Sequence, residues 1–356
     1  MHPIIDVHLD LAWSGLFWNR DLTQTLDEVR ASEQGMTDHR ARGRNTVTFP
    51  ELRKANVRVC LGTVLVRSKP EVNPPAGATR RDLDFRNQTI VNAIGHSHVE
   101  YYRELDRLGE IRLIRTRDEL QAHWDSGDEH RTGLILAMEG ADPIAAPDQA
   151  EHWWNMGLRC VGLSHYGQGP YGMGTGFTGG ITEKGYALLK EFERLGMIVD
   201  LTHSAEPGFF EILDAFNGRV LASHNMVRAL TPGDRQFSDE QIRRLIERDA
   251  VIGMAFDAWM LYPGWVIHET DPSVVGLEAA ANHIDYICQM AGNTKHVGIG
   301  SDLDGGFGTE QTPRDLDSIA DLHKLDEILT KRGYSQADIE AIFYGNFLNL
   351  FSQALP

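Results

Sequence analysis

Eight short apolar runs, rich in β-branched residues, recur at 3–9, 57–66, 133–139, 160–165, 197–202, 219–224, 250–256 and 296–302, and amphipathic stretches fill most of the intervals. This alternation constrains the fold more than any other feature. Strands that alternate with helices read as parallel strands joined by crossovers. Eight of them suggest closure into a (β/α)8 barrel, the TIM-barrel architecture. The alternative is a doubly wound open sheet, which begins with a Gly-rich first turn; here the first strand runs into His8-Leu9-Asp10 instead. The 356 residues suit one α/β barrel, and no linker or internal repeat divides them, so 1–356 is expected to be a single barrel domain.

The helical signals agree. Leu188, Leu189, Phe192 and Leu195 have the spacing of one helix face. Ser238 with Gln241 three residues on predicts a capping box before Ile242, Leu245 and Ile246. Helices are also expected over 88–108, 273–291 and 315–331. Two loops stand out. Residues 67–84 carry Pro70, Pro74, Pro75 and Gly77, and residues 166–180 hold seven glycines. Each follows a strand, where a barrel builds the mouth of its site; flexible surface is the alternative for both.

Charge narrows the partners. A net charge of -17 leaves no basic footprint for nucleic acid and disfavours anionic lipid. No run is long enough to span a membrane and no leader pattern opens the chain. Cys60, Cys160 and Cys288 are odd in number and widely spaced, so buried thiols are expected rather than a disulfide framework, and a cytoplasmic location with them.

The strand ends carry the chemistry. The first run ends in His8 and Asp10, which alternation aims at one point. The third ends in Glu139, the fourth in His165, the fifth in His203, the sixth in His224 and the eighth in Asp302. A barrel gathers these ends at one face. Burying so many ionisable groups is costly unless cations compensate. The donors exceed what one tetrahedral zinc takes, so two zinc ions about 3.5–4 Å apart with a bridging carboxylate are expected. That is hydrolytic chemistry.

The chain resembles the renal (membrane) dipeptidase family, a branch of the metal-dependent amidohydrolase barrels. The likeness rests on Asp6-Val7-His8-Leu9-Asp10-Leu11, Glu139-Gly140, Gly196-Met197-Ile198-Val199-Asp200-Leu201-Thr202-His203, Ser223-His224, Asp234-Arg235 ahead of Ser238-Asp239-Glu240-Gln241, the run from His296 to Gly305, and Gly345-Asn346-Phe347. It implies a barrel of metal-dependent hydrolase type holding two zinc ions. His8 and Asp10 would bind the first and His203 and His224 the second, with Glu139 bridging. Asp302 would join the metal set, accept a proton from the hydroxide between the ions and pass it to the leaving amine. His165 would polarise the scissile carbonyl, and Arg235 would grip a terminal carboxylate. The implied substrate is a dipeptide with a free C-terminus and tolerance of a D-residue at its second position; a homodimer is the only protein partner expected. The rival activities are a lactonase, phosphotriesterase-like enzyme or cyclic amidase on the same barrel, or a non-catalytic metal-binding barrel.

Some residues depart from the family or fall outside the site. Leu9 replaces a polar residue between two ligands, and the second strand lacks an aromatic-rich run, which bears on substrate choice more than on reaction type. Asp304 reads as a turn residue beside Gly305-Gly306, and Asp200 as structural. His96, His98, His268, His283 and His323 read as surface, and Trp153 and Trp154 as helix packing.

Overall fold

The computed structural model describes residues 1–70 and 83–356. Pro74, Pro75 and Gly77 lie outside the described residues. The strands are β1 (Ile4–Leu9), β2 (Val57–Leu65), β3 (Arg67–Ser68), β4 (Asp84–Phe85), β5 (Ile111–Ile114), β6 (Thr132–Glu139), β7 (Leu158–Gly162), β8 (Ile198–Asp200), β9 (Val220–Leu221), β10 (Ile252–Met254) and β11 (Val297–Ile299). Eight of them run in the order β10-β11-β1-β2-β6-β7-β8-β9, with every neighbouring pair parallel. A parallel bridge between Ala222 and Ile252 completes the ring, and Gly253 N–H donates to the Ala222 carbonyl at 2.8 Å. The expected (β/α)8 barrel is the fold observed.

All eight expected strands are present, but the late ones are shorter than their apolar runs. Side chains take over from the backbone ladder there. Asp200 Oδ1 accepts the N–H groups of Thr202 and Ser223, each at 3.0 Å. Asp6 Oδ1 likewise accepts from His8 at 3.1 Å and Ser301 at 2.8 Å. These carboxylates lace adjoining strand ends where the chain leaves the sheet, which is the structural role expected for Asp200. Two features lay outside the sequence reading: β5, which pairs with the first half of β6, and the small pairing of β3 with β4.

Ile5, Val7, Val59, Leu61, Ile135, Ala137, Cys160, Ile198 and Leu221 form one buried cluster with Phe347, Leu350 and Phe351 of the C-terminal helix Asn346–Ala354. That helix needs two residues of the Gly345-Asn346-Phe347 stretch. Asn346 Nδ2 donates to the Thr294 and Val297 carbonyls, and Phe347 fills the space that a Cβ at Gly298 would take.

The helices follow their signals with two corrections, both late starts. Gln88–Leu108 and Glu183–Leu195 form as expected, Leu277–Ala291 forms after a short 3-10 turn at Pro272–Val274, and the Ser238–Gln241 capping box opens Asp239–Glu247. Residues 315–318 are not helical. Ser318 caps the 3-10 turn Ile319–His323, which leads into Lys324–Lys331. No described helix is long and apolar enough to cross a membrane. The three cysteines are buried and free. Trp153 is buried as packing, but His98 and His283 are also buried, not surface. Burial pushes both imidazoles down to about 4.

Candidate metal centre

The strand ends bring seven of the expected side chains to one point. Glu139, the last residue of β6, stands at the centre. Its Oε1 lies 3.1 Å from His203 Nε2, 3.2 Å from His224 Nε2 and 3.6 Å from His165 Nε2. Its Oε2 lies 3.6 Å from His8 Nε2. His8 Nε2 is also 3.8 Å from Asp10 and 3.6 Å from Asp302. Three sets could each hold an ion: His8, Glu139 and His224; Glu139, His165 and His203; and His8, Asp10 and Asp302. Glu139 belongs to two of them, the position of a bridging carboxylate. The sets cut across the expected division, since His8 meets His224 as well as Asp10, and His165 enters one of them.

The donor set fits divalent cations on three counts. First, His8 Nε2 is buried and has no hydrogen-bond partner, although three carboxylates surround it. Second, the acids strain against one another. Burial drives Glu139 up to about 8, against the pull of His8, and holds Asp302 well above the usual carboxylate range. Burial also opposes protonation of His8, yet Glu139, Asp10 and Asp302 outweigh it and carry His8 up to about 10. The chain alone neutralises its acids with a proton; a cation would take that proton's place. Third, the second nitrogens are anchored. His203 Nδ1 meets Thr175 Oγ1 at 2.9 Å and His224 Nδ1 meets Ser223 Oγ at 2.8 Å, which leaves Nε2 of each facing the centre. Such outer contacts accompany metal-ligating histidines.

The scaffold pays for this arrangement in backbone strain: His203 and Asp302 both sit at positive φ, 64° and 58°. Asp10 is held by the hydroxyl of Thr63 on β2. Asp304 is more than a turn residue. It is buried, accepts from Thr46 N and Oγ1 and Val47 N, and lies 3.6 Å from Arg20, so it anchors the 46–47 segment rather than the centre.

A cavity of about 270 Å³ opens over the cluster, walled by Trp13, Leu65, Tyr166, Trp259 and Met260, with Arg235 and His165 facing it. Arg235 is buried, and its guanidinium donates to Asn225 Oδ1 at 3.0 Å and the His224 carbonyl at 2.8 Å. No carboxylate pairs with it among the described residues. The Gly-rich 166–180 loop folds back through bridges to Thr175, Met173, Ile181 and Ser204, and it delivers Thr175 to His203. It is a built wall of the site.

Four residues at the site escaped the sequence reading: Thr63, Thr175, Arg67 and Asp257. The hydroxyls gave no signal. Arg67 and Asp257 did, because each stands one residue beyond an apolar run, at 57–66 and 250–256. Every barrel strand therefore leads to an ionisable side chain at this mouth. Asp257 lines the cavity and accepts both carboxylate bonds from Gln311 Nε2, and burial raises it well above its usual range.

Comparison with known families decides the affiliation: residues 1–355 match the membrane dipeptidase family, peptidase family M19. The chain belongs to that family. Membership makes it a metallopeptidase of dipeptidase type. Among relatives, it is 25% identical over 355 residues to dipeptidase aclJ of Aspergillus oryzae, covering 98% of this chain and 77% of that protein. It is 29% identical over 260 residues to dipeptidase verJ of Clonostachys rogersoniana, covering 72% of this chain and 62% of that one. Solved structures share the fold. A dipeptidase AC of family M19 superposes with a TM-score of 0.79 at 22% identity over 99% of each chain. A Rhodobacter sphaeroides metallopeptidase liganded with a phosphinate mimic of L-Ala-D-Ala gives 0.78 at 21%, over 100% of this chain and 99% of that one.

Proposed function

We propose that this M19 protein is a two-zinc dipeptidase that hydrolyses dipeptides bearing a free C-terminal carboxylate and tolerates a D-residue at the second position. One observation carries the substrate class: Arg235 is a buried guanidinium beside the metal ligands, oriented by two neutral oxygens and left without an acid. Its charge acts on Glu139 and Asp302 without an ion pair to either, and a substrate carboxylate supplies a direct partner in bidentate form. A lactone or phosphotriester would leave Arg235 unpaired. Six convergent ligands weigh against a retired, non-catalytic barrel. The D-residue tolerance is consistent with the shared fold of the Rhodobacter protein that holds an L-Ala-D-Ala mimic. The reading takes 1–356 as one catalytic domain, the cytoplasm as its compartment and a homodimer as its assembly.

His8, Asp10, Glu139, His203, His224 and Asp302 would hold the ions, which supply Lewis acidity at the carbonyl and an activated water. Arg235 fixes the carboxylate end, so the scissile bond is one residue away and longer peptides do not fit. His165 donates from Nε2 to the carbonyl oxygen as it gains charge. Asp302 takes a proton from the attacking water and gives it to the leaving nitrogen as the C–N bond breaks.

A cycle with the substrate as second site tests the reading. Amidating the dipeptide C-terminus and substituting Arg235→Met should each cost kcat/KM about 1.5–3 kcal/mol, and together little more than either alone. Full additivity, or efficient cleavage of tripeptides, would remove the carboxylate assignment.

A further inference from the structure

Arg67 touches neither Glu139 nor the expected metal ligands, yet it faces the same cavity. Its Nε and Nη2 fork onto Asp84, at 2.7 and 2.9 Å. Its Nη1 lies 3.1 Å from Nδ1 of His165. The fork is a cross-strand pair, since Arg67 and Asp84 are register partners in the β3–β4 ladder. The next residue is tied as well: Ser68 N–H donates at 2.7 Å to Asp142, three residues past Glu139. The guanidinium is thus placed relative to the strand that carries Glu139, and its bonding edges are occupied by Asp84 and His165.

A guanidinium has donors and no acceptor. A ring nitrogen 3.1 Å from it must offer a lone pair, so a hydrogen on Nδ1 would set two donors face to face. The proton of a neutral His165 is then on Nε2, the atom 3.6 Å from Glu139 Oε1. A nitrogen carrying that proton has no lone pair for a metal.

We propose that Arg67 is a positioning residue that fixes His165 in the Nε2–H tautomer, which keeps this imidazole out of the metal shell and makes it a hydrogen-bond donor to the substrate's carbonyl oxygen. The geometry resolves the ambiguity of the Glu139, His165 and His203 set: His165 is near enough to ligate and is prevented from doing so by its back-side partner. The positive charge behind Nδ1 also strengthens Nε2–H as a donor toward an oxygen that gains charge. The catalytic half of this inference rests on the dipeptidase reading; the tautomer half does not.

The test separates the two halves. Zinc-loaded protein with ¹⁵N-labelled histidine is examined by long-range ¹H–¹⁵N NMR, with the His165 signals assigned by their loss in His165→Gln. Wild type should show His165 protonated at Nε2 and lone-paired at Nδ1. Arg67→Met should release the ring to the other tautomer or to zinc. On a cleaved dipeptide it should lower kcat by roughly 10²-fold with KM little changed, the scale of a lost polarising donor. Arg67→Lys can still donate to Nδ1 and should restore the tautomer and part of kcat, which a merely structural residue would not do. Wild-type His165 protonated at Nδ1, or bound to zinc through Nε2, overturns the proposal, and this reading does not depend on either Arg67 variant folding. An unchanged tautomer or an unchanged kcat in Arg67→Met overturns it too. If wild type cleaves no dipeptide, the dipeptidase reading fails while the spectrum still decides the tautomer.

Discussion

His203 Nε2 and His224 Nε2 stand 3.3 Å apart, nitrogen to nitrogen, and both rings are buried. With both rings anchored through Nδ1 to hydroxyls, the approach makes a poor hydrogen bond. It is good ligand geometry. Two nitrogens bound at zinc distances with tetrahedral angles stand about 3.3–3.4 Å apart. Burial drives both imidazoles well below their usual range, which keeps them neutral and able to ligate.

Metal content follows from the surplus of donors. Protein prepared without chelator should hold about two zinc ions per chain by elemental analysis. Dialysis against a chelator should abolish turnover and lower the thermal midpoint, because the acids around His8 lose their counter-charge. Full activity with one ion or none would contradict the two-ion centre.

Asp302→Asn keeps the size of the side chain and removes its ability to accept a proton. We expect kcat to fall at least ~10²-fold at near-normal metal content. Retained activity would reduce Asp302 to a structural part.

Glu139→Gln removes the negative charge that lies 3.1 and 3.2 Å from His203 and His224. Zinc occupancy should fall, first at the position those histidines form. Titration followed by elemental analysis would show two equal sites if Glu139 does not bridge.

Thr175→Val deletes the hydroxyl that fixes His203 while keeping the shape of the side chain. Loss of an outer-shell partner of this kind costs roughly 10–100-fold in metal affinity or activity. Competition with a zinc-binding dye should report a weakened site, and excess zinc should recover turnover.

Stability should also fall with acid because of a buried histidine that takes no part in the chemistry. His98 is buried with both ring nitrogens unpartnered, and its affinity for a proton drops from an ordinary 6.5 to about 4. Between those values the unfolded chain binds the proton and the folded one does not. The stability is therefore complete above pH 6.5 and is lost as pH falls toward 4, by about 1–3 kcal/mol. Urea unfolding of metal-free protein at pH 7 and pH 5 should show the loss, and His98→Leu should flatten it. An equal drop in both proteins would assign the acid sensitivity elsewhere.

The barrel was legible because its signals are local. Apolar runs, their β-branched residues and the Ser238–Gln241 cap depend on near neighbours alone, and all eight strands formed where the runs lie. The clustering of His8, Asp10, Glu139, His165, His203, His224 and Asp302 also followed, because a closed parallel barrel carries every strand end to one face. What the sequence could not express is the grouping inside that face. The contacts of His8 with His224, of Thr175 with His203 and of Arg67 with His165 join residues 28 to 216 positions apart in the sequence. They depend on strand stagger and on loops folding back over the mouth. The same holds for burial: His98 sits on a helix whose pattern says only that it is amphipathic, and closure of the sheet beneath decided that this histidine faces inward. Sequence alone determined which chemical groups arrive at the mouth. The tertiary structure decided which nitrogen of each ring is free, and hence which histidines can ligate and which can donate.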